Sequence, residues 1–541
     1  MKDESVPGGP GGGSVPGGGS AGRGGRARWA PLAVLAALTA LALWLRLRAI
    51  PGTWGTDALG YVERALGDGV AAGGADTRSQ RVVFIDLLRA ALALGGDRPA
   101  AASWPGIALS ACVGPVLYAA ARPKAGAWLA LLPAALWAVL GLDIEEVVEV
   151  SADAATALSG ALAALALSIA AGRDGRARLA VLVAGGVAVG AGFLVKETAA
   201  FAGVALVAGA FAISPGRRGI SAAAAVAAGA IAVVGVGAIA GIVQSPQVVT
   251  HEMAVNAVPV AWDAPGFLRR VTIGVPAMLL TATGAFGLLH VVALPLIVRL
   301  MFGAARGRAF AVAALAGLLA FDLAPVSLST WAVLPATFPR YLLPVLPIWF
   351  VALTETLAAT PETKWERRVA IAAALAALAF VGSWPATWIV LGTALRAVLA
   401  NLPNRELSRT VPERELLGSV AESALLVAAA ACALLTPLAR TAPDPIWNAW
   451  PLLPRTGAIH ADRAIGRRLA IAARTAPGVD PAAATRIRLL DDTLPPPSAL
   501  AAGDIVLVRR GSKLAVAAAA RADLHAPGAE IGETVVLTRG E

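Results

Sequence analysis

DIEEVVEVSAD (residues 143–153) is an acidic island between two long apolar runs, holding Asp143, Glu145, Glu146, Glu149 and Asp153. Short loops rich in Lys and Arg stay on the cytoplasmic side of a membrane, so an acidic link between spans belongs to the opposite face. The neighbouring links support this phasing: Arg122-Lys124, Arg173–Arg178, Arg217-Arg218, Arg299–Arg308 and Lys364–Arg368 are basic. A second acidic gap, with Asp57, Glu63, Asp68 and Asp76, falls on the same outer face. Carboxylates gathered at one membrane surface point to chemistry there rather than to a plain anchor.

The composition calls for a polytopic membrane protein. The 541 residues are 57% apolar, with a mean hydropathy of +0.71. A soluble chain does not carry so many runs close to the roughly 20 residues that cross a bilayer. Abundant Ala and Gly allow helices to approach closely in lipid, where hydrophobicity alone gives little association force. The net charge of +10 is scattered over short loops, with no stripe of interleaved aromatics. It reads as orientation and contact with anionic membrane lipid, and nucleic acid is excluded as a partner. The two cysteines, Cys112 and Cys432, each lie inside an apolar run, which argues against a disulfide framework or a cysteine metal site. The Ala, Gly, Arg and Val bias is that of a GC-rich bacterial genome.

Residues 1–28 are Gly/Pro/Ser-rich and are expected to form a disordered cytoplasmic tail. Arg23, Arg26 and Arg28 precede the run Trp29–Trp44, which reads as a retained signal-anchor because no small-residue cleavage site follows. RVVFIDLLRAALALGG (81–96) is too short and too charged for a span and is expected to lie along the membrane surface. Further spans are expected near 104–121, 126–142, 154–172, 179–195, 198–213, 220–243, 271–298, 309–326, 341–358 and 416–438. The stretch 369–400 is either one tilted helix or a hairpin broken at Ser383-Trp384-Pro385. The basic link Arg396–Arg414 favours the hairpin, which puts the C-terminus outside. The expected fold is thus an all-α polytopic membrane domain over 29–440, with about 12–13 transmembrane helices and outer loops 50–103, 143–153 and 244–270. A small α/β soluble domain follows over 441–541. Its signals are the amphipathic stretch Arg463–Ala476 and strand-like runs at Asp504–Arg509 and Glu533–Thr538.

Several charged residues could carry chemistry at the outer face. Asp57, in TWGTDALGYVERA just beyond the first span, could be a general base for an acceptor hydroxyl or amine, or simply a solvated loop carboxylate. Asp153 could orient substrate, help hold a divalent cation or stabilise a positive centre, or it could cap the next helix. Glu145, Glu146 and Glu149 are expected to face water or headgroups. Lys196 and Glu197 lie between two apolar runs with almost no loop. Charge at such depth is costly, so Lys196 reads as a phosphate contact, or else as one half of a tight turn snorkelling to the interface, and Glu197 as a turn residue. Arg340-Tyr341, in TFPRYLLPVLPIWF, could grip a phosphate bidentately or anchor the helix at the interface. Glu63, His251, Glu252, Arg269 and Arg270 are weaker candidates. No Walker A, dinucleotide, HExxH or Gly-x-Ser-x-Gly signature occurs. Without a nucleotide site, an outer-face enzyme needs a donor already in the membrane, and a polyprenyl-phosphate-linked group meets that need. The sequence assigns no cofactor and leaves a divalent cation open.

In its order of motifs the chain resembles the bacterial GT-C glycosyltransferases of the protein O-mannosyltransferase and lipid A aminoarabinose transferase superfamily. The likeness spans about residues 30–360 and rests on Asp57 in TDALGYVERA, Asp153 in VSADAATAL, Lys196 in GAGFLVKETA and Arg340-Tyr341 in PRYLLPVLP. It implies a lipid-linked sugar donor, an active site outside the bacterial inner membrane and inversion at the anomeric carbon. It also implies that Asp57 is the base or substrate-orienting acid and that Lys196 and Arg340 contact the donor phosphate. The acceptor would be a lipid, glycan or protein. Many relatives carry Asp-Glu in the first loop, where this chain has Asp57-Ala58. Two other readings compete. A transporter or flippase would show repeats and charge near the midplane, which are not evident here; a non-catalytic envelope scaffold would need no intact site.

Overall fold

The computed structural model describes residues 23–48, 56–66, 81–95, 99–138, 140–244, 297–323, 339–359, 457–475, 481–490 and 493–525, with positions 265, 268, 272, 453, 530–531 and 534–539. The expected spans over 369–400 and 416–438, nearly all of 271–298, and most of the loop 244–270 lie outside them.

Helix α1 (Arg23–Arg48), which takes in the last six residues of the expected tail 1–28, leads into α2 (Thr56–Ala65) and α3 (Val82–Gly95). The bundle continues with α4 (Trp104–Leu129), α5 (Leu131–Ala138), α6 (Gly141–Val148), α7 (Ala152–Ala171), α8 (Gly175–Val195), α9 (Ala200–Ile213), α10 (Arg217–Gln244), α11 (Ala305–Leu323) and α12 (Leu346–Ala358). Among the described residues, five helical stretches are long and apolar enough to cross a membrane: Trp29–Leu47, Ala100–Leu129, Ala152–Ala171, Gly175–Val195 and Arg217–Ala240. The helix expected along the surface is α3, which buries Phe84, Ile85, Leu88, Ala91 and Leu92. Its 14 residues reach about 21 Å, well short of a bilayer core.

The span expected over 126–142 is shorter than its apolar run suggests. Gly126 sits at φ 74°, a left-handed conformation open to glycine, and the chain turns back there. Residue 134 packs against Gly114, and Trp137 Nε1 donates to Ser110 O at 3.0 Å, so α5 runs antiparallel to α4. The returning leg ends at Ala138, and α6 forms in place of the last turn of the expected span. Elsewhere small residues set the packing distance. A Cβ on Gly186 would lie 2.1 Å from Val226 O, and one on Gly229 2.2 Å from Val183 O, so α8 and α10 touch backbone to backbone.

The C-terminal domain is α/β, as expected. It comprises β1 (Ile459–Asp462), α13 (Arg463–Thr475), β2 (Ile487–Leu490), β3 (Ile505–Arg509), α14 (Lys513–Ala519), β4 (Leu524–His525), β5 (Glu530–Ile531) and β6 (Thr534–Arg539). The sheet order is β2-β1-β3-β6-β4, with β5 also on β6; β1 is parallel to β2 and β3, while β3 and β6 are antiparallel. β3 is buried along Ile505–Val508, as a central strand covered on both faces must be. Ile465, Leu469 and Ile471 of this domain share one apolar cluster with Leu59, Tyr61 and Val62 of α2 and Phe84 and Leu88 of α3. Val150, Ala152, Ala155 and Val195 belong to the same cluster, so the domain sits at the end of the bundle that carries the acidic link.

Candidate functional site

Three chain breaks at one end of the bundle build the site. The first begins α7. Ser151 caps the helix by accepting the Asp153 N–H at 3.2 Å, which points the fully buried Asp153 side chain inward from the first turn. The second separates α8 from α9. The chain leaves α8 at Lys196 in an extended conformation, makes a single 3-10 turn over Glu197–Ala199, and re-enters a helix. That break frees Lys196 to reach sideways, and its Nζ forms an ion pair with Asp153 Oδ2. Thr198 Oγ1, one turn on, donates to Asp153 Oδ1 at 3.1 Å. The third break is the tight turn Pro339–Leu342 before α12, which sets Arg340 Nε 3.5 Å from Asp153 Oδ2. Gly160 makes this approach possible, since a Cβ there would fall 1.8 Å from Pro344 O.

The Tyr341 ring lines the cluster. Lys196 Nζ lies 4.8 Å and Arg340 Cζ 5.7 Å from its centroid, both within cation–π range. The tyrosine hydroxyl is pushed above its ordinary pKa by burial and by the charge of Asp153. The structure therefore gathers Asp153, Lys196, Arg340 and Tyr341, from three separate stretches of chain. Two cations face the buried Asp153 carboxylate, and Arg340 keeps 24% of its side chain exposed. Paired cations with a partly exposed edge suit a phosphate.

Glu146 corrects the expectation that the acids preceding Asp153 face water. Its side chain is buried. Burial and the nearby Asp153 raise its pKa to about 7, against the opposing pull of the Ser151 hydroxyl and Arg340. The chain reverses at Val150, where φ is 55°, and so folds Glu146 back toward Asp153. A left-handed backbone is costly for a β-branched residue and typical of sites held by their surroundings. Glu149 is exposed, as expected.

Asp143 takes no part in this cluster. It pairs with Arg46 at 2.5 Å and accepts from Ser110 Oγ at 2.5 Å, and both charged side chains are wholly buried. Arg46 also donates to the carbonyls of Ala42, Trp137 and Ala138. Glu63 lies elsewhere as well, in a two-pronged pair with Arg467 of α13. Glu197 turns back to Arg81 at 2.7 Å, as befits a turn residue. Asp57 is the second residue of α2. Its helix neighbours Ala58, Leu59, Tyr61 and Val62 pack in the same apolar cluster as Val150, Ala152 and Val195, which adjoin the charged site. His251, Glu252, Arg269 and Arg270 lie outside the described residues. Among the described residues, no three His, Cys, Asp or Glu side chains are grouped to hold a metal ion. Thr198 and Glu146 are the site residues that sequence reasoning missed; the Ser-x-Asp cap at 151–153 was the only local sign of the reversal.

The charges at the far end of the bundle differ in kind. Arg306, opening α11, donates to Glu355 near the end of α12 at 2.7 Å and to Ala120 O at 2.9 Å, and Arg178 donates to Ser214 Oγ at 2.8 Å. Here the cations tie helix ends together.

Comparison with known proteins adds two findings. Residues 82–240, which include Asp153 and Lys196, match the family model described as dolichyl-phosphate-mannose-protein mannosyltransferase. The chain is also similar in structure to ArnT from Cupriavidus metallidurans. With undecaprenyl phosphate bound, that structure superposes with a TM-score of 0.58 at 14% identity, covering 94% of this chain and 98% of the other. Its apo form gives a TM-score of 0.54 at 16% identity, with coverage of 95% and 98%. No curated protein sequence matches the chain at a significant level.

Proposed function

We propose that this chain, a GT-C superfamily member by fold, is a membrane glycosyltransferase that moves a sugar from a polyprenyl-phosphate donor to a lipid, glycan or protein acceptor. The constellation of Lys196 and Arg340 around Asp153 carries this reading. The undecaprenyl phosphate in the similar ArnT structure supports a lipid phosphate as the donor's leaving group. The placement of the site supports the outer face of a bacterial inner membrane. It lies at the end opposite Arg178, Arg306 and Arg308, which belong to the basic, cytoplasm-retained links.

In the reaction an acceptor oxygen or nitrogen attacks the anomeric carbon, and the bond from that carbon to the phosphate oxygen breaks. The electron pair of that bond leaves on the polyprenyl phosphate. Lys196 and Arg340 stabilise the charge that grows on the departing phosphate, in a buried setting where such contacts are strong. Asp153, braced by the Thr198 hydroxyl, holds the Lys196 ammonium in place, and the donor phosphate competes with Asp153 for it. Asp57, on the short helix beside the site, receives the acceptor proton as general base. Attack from the face opposite the leaving phosphate gives inversion.

The test is transfer of radiolabelled sugar from bacterial polyprenyl phosphates, in membranes holding wild type or Asp57→Asn at equal protein level. Wild-type transfer is expected, with loss of about 10²–10⁴-fold in the variant, the usual worth of a general base. Equal rates would remove Asp57 from the mechanism. An absence of wild-type transfer across a broad donor and acceptor panel would defeat the reading.

A further inference from the structure

The C-terminal domain presents no motif of its own, yet it is fastened to the one short helix that carries Asp57. Arg467 on α13 donates through Nε to Glu63 Oε1 at 2.7 Å and through Nη2 to Oε2 at 2.6 Å. The two side chains are 14% and 24% exposed, so the pair is largely shielded from water. Such a parallel fork fixes the orientation of a carboxylate as well as its distance, which a lysine cannot do. The residues joined are 404 positions apart.

Helix α2 has only 10 residues. A helix this short has no stability of its own, so its place is dictated by what packs on it. Ala58, Leu59, Tyr61, Val62 and Ala65 provide apolar contact. That packing, with the Tyr61 ring edge-on to Phe84 at 5.2 Å, seats the helix on the bundle. The Arg467–Glu63 fork adds a charged, directional tie from the helix to the C-terminal domain. Asp57 lies six residues before Glu63 on the same rigid element.

We infer that Arg467 is a positioning residue for sugar transfer: through Glu63 it locks α2 to the C-terminal domain and thereby holds the segment that carries Asp57 in place on the acceptor side. The inference rests on the transferase reading above and gives the soluble domain a role within it. The domain sets the acceptor side of the reaction, while Lys196 and Arg340 set the donor side independently.

The experiment uses the full chain in lipid nanodiscs, as wild type, Arg467→Ala, Arg467→Lys and the reciprocal double variant Glu63→Arg/Arg467→Glu. Two quantities are read: amide hydrogen exchange over residues 57–66, and transfer kinetics with kcat separated from donor KM. Arg467→Ala is expected to speed exchange in α2 about tenfold and to lower kcat by a similar factor, the scale of a shielded two-pronged ion pair. Donor KM and exchange over 152–171 stay at wild-type values. Arg467→Lys falls between, and the reciprocal variant recovers most of both losses. Unchanged exchange in Arg467→Ala overturns the lock. Faster exchange with unchanged kcat overturns the positioning role, as does a loss confined to donor KM. Failure of the reciprocal variant to recover while remaining folded assigns the effect to something other than the pair. A wild type that transfers no sugar defeats the transferase reading and the positioning role with it, whereas the exchange arm still decides whether the lock exists.

Discussion

Asp143 and Asp153 stand on one acidic link, ten residues apart, and both are wholly buried against a cation. Their surroundings differ in one respect that decides what each can do. The partner of Asp143, Arg46, is spent on Ser110, Asp143 and three backbone carbonyls, and neither member of the pair touches solvent. Asp153 meets a lysine and a second cation, Arg340, that remains partly exposed, with a near-neutral carboxyl beside it. The first arrangement is closed and joins α1, α4 and α6. The second gathers two cations on one carboxylate and keeps a partly exposed edge through which an anion can enter. Burial of a charge therefore does not mark function by itself; a charged cluster that also reaches the surface does.

That contrast can be broken by substitution. Arg46→Met is expected to have the largest effect, a loss of about 3–5 kcal/mol, because Asp143 is left as an uncompensated buried charge. Thermal or denaturant unfolding in detergent would measure it, and Arg46→Met/Asp143→Leu should regain most of the stability. If the double variant stays as unstable as the single, the pair is not a self-contained fastener. Lys196→Gln should lower sugar transfer about 10²–10³-fold, as loss of a group that stabilises a developing anion does. Its melting temperature should fall less than that of Arg46→Met, since Arg340 and Thr198 still face Asp153. A larger drop in stability than in turnover would make Lys196 a fastener too.

The smallest effect sharpens the comparison through pH. Glu146 holds its proton up to about pH 7, whereas the unfolded chain releases it near the ordinary carboxylate value. The folded state thus binds the extra proton between those two values, and stability declines as pH rises across that window. Above about 7 the ionised Glu146 adds negative charge beside Asp153 and opposes the donor phosphate. Donor KM should climb severalfold from pH 6 to pH 8, and Glu146→Gln should flatten the profile. A wild-type profile identical to that of Glu146→Gln would place the group outside the electrostatics of the site.

Much of this was legible in the sequence, for a physical reason. Membrane insertion is read residue by residue from hydropathy and loop charge, so helix order, the basic and acidic ends, and the α/β tail followed from local pattern. Asp153, Lys196, Arg340 and Tyr341 stood out because each sits at a helix end, where a charge in a bilayer is least costly and easiest to notice. The pairings stayed hidden because they are long-range. Nothing local joins Arg46 to Asp143 across 97 residues, or Glu63 to Arg467. Glu146 was misread because its burial depends on Val150 adopting a left-handed backbone, which no β-branched residue announces. The reversal at Gly126 was foreshadowed only as a basic link, and the length of the returning leg was fixed by packing on α4.

The contact between Gly160 and the carbonyl of Pro344 gives the site a gauge. The depth of Arg340 in the protein is measured from one main chain to another, with no side chain in between to yield. Gly160 lies two turns below Asp153, about 10 Å along the helix, and would touch no substrate. Enlarging it would nonetheless lift the turn that carries Arg340 away from Lys196. The symptom would be weak hold on the donor in a folded protein, so a defect mapped by function to the mouth of the site would have its origin in the interior of the bundle.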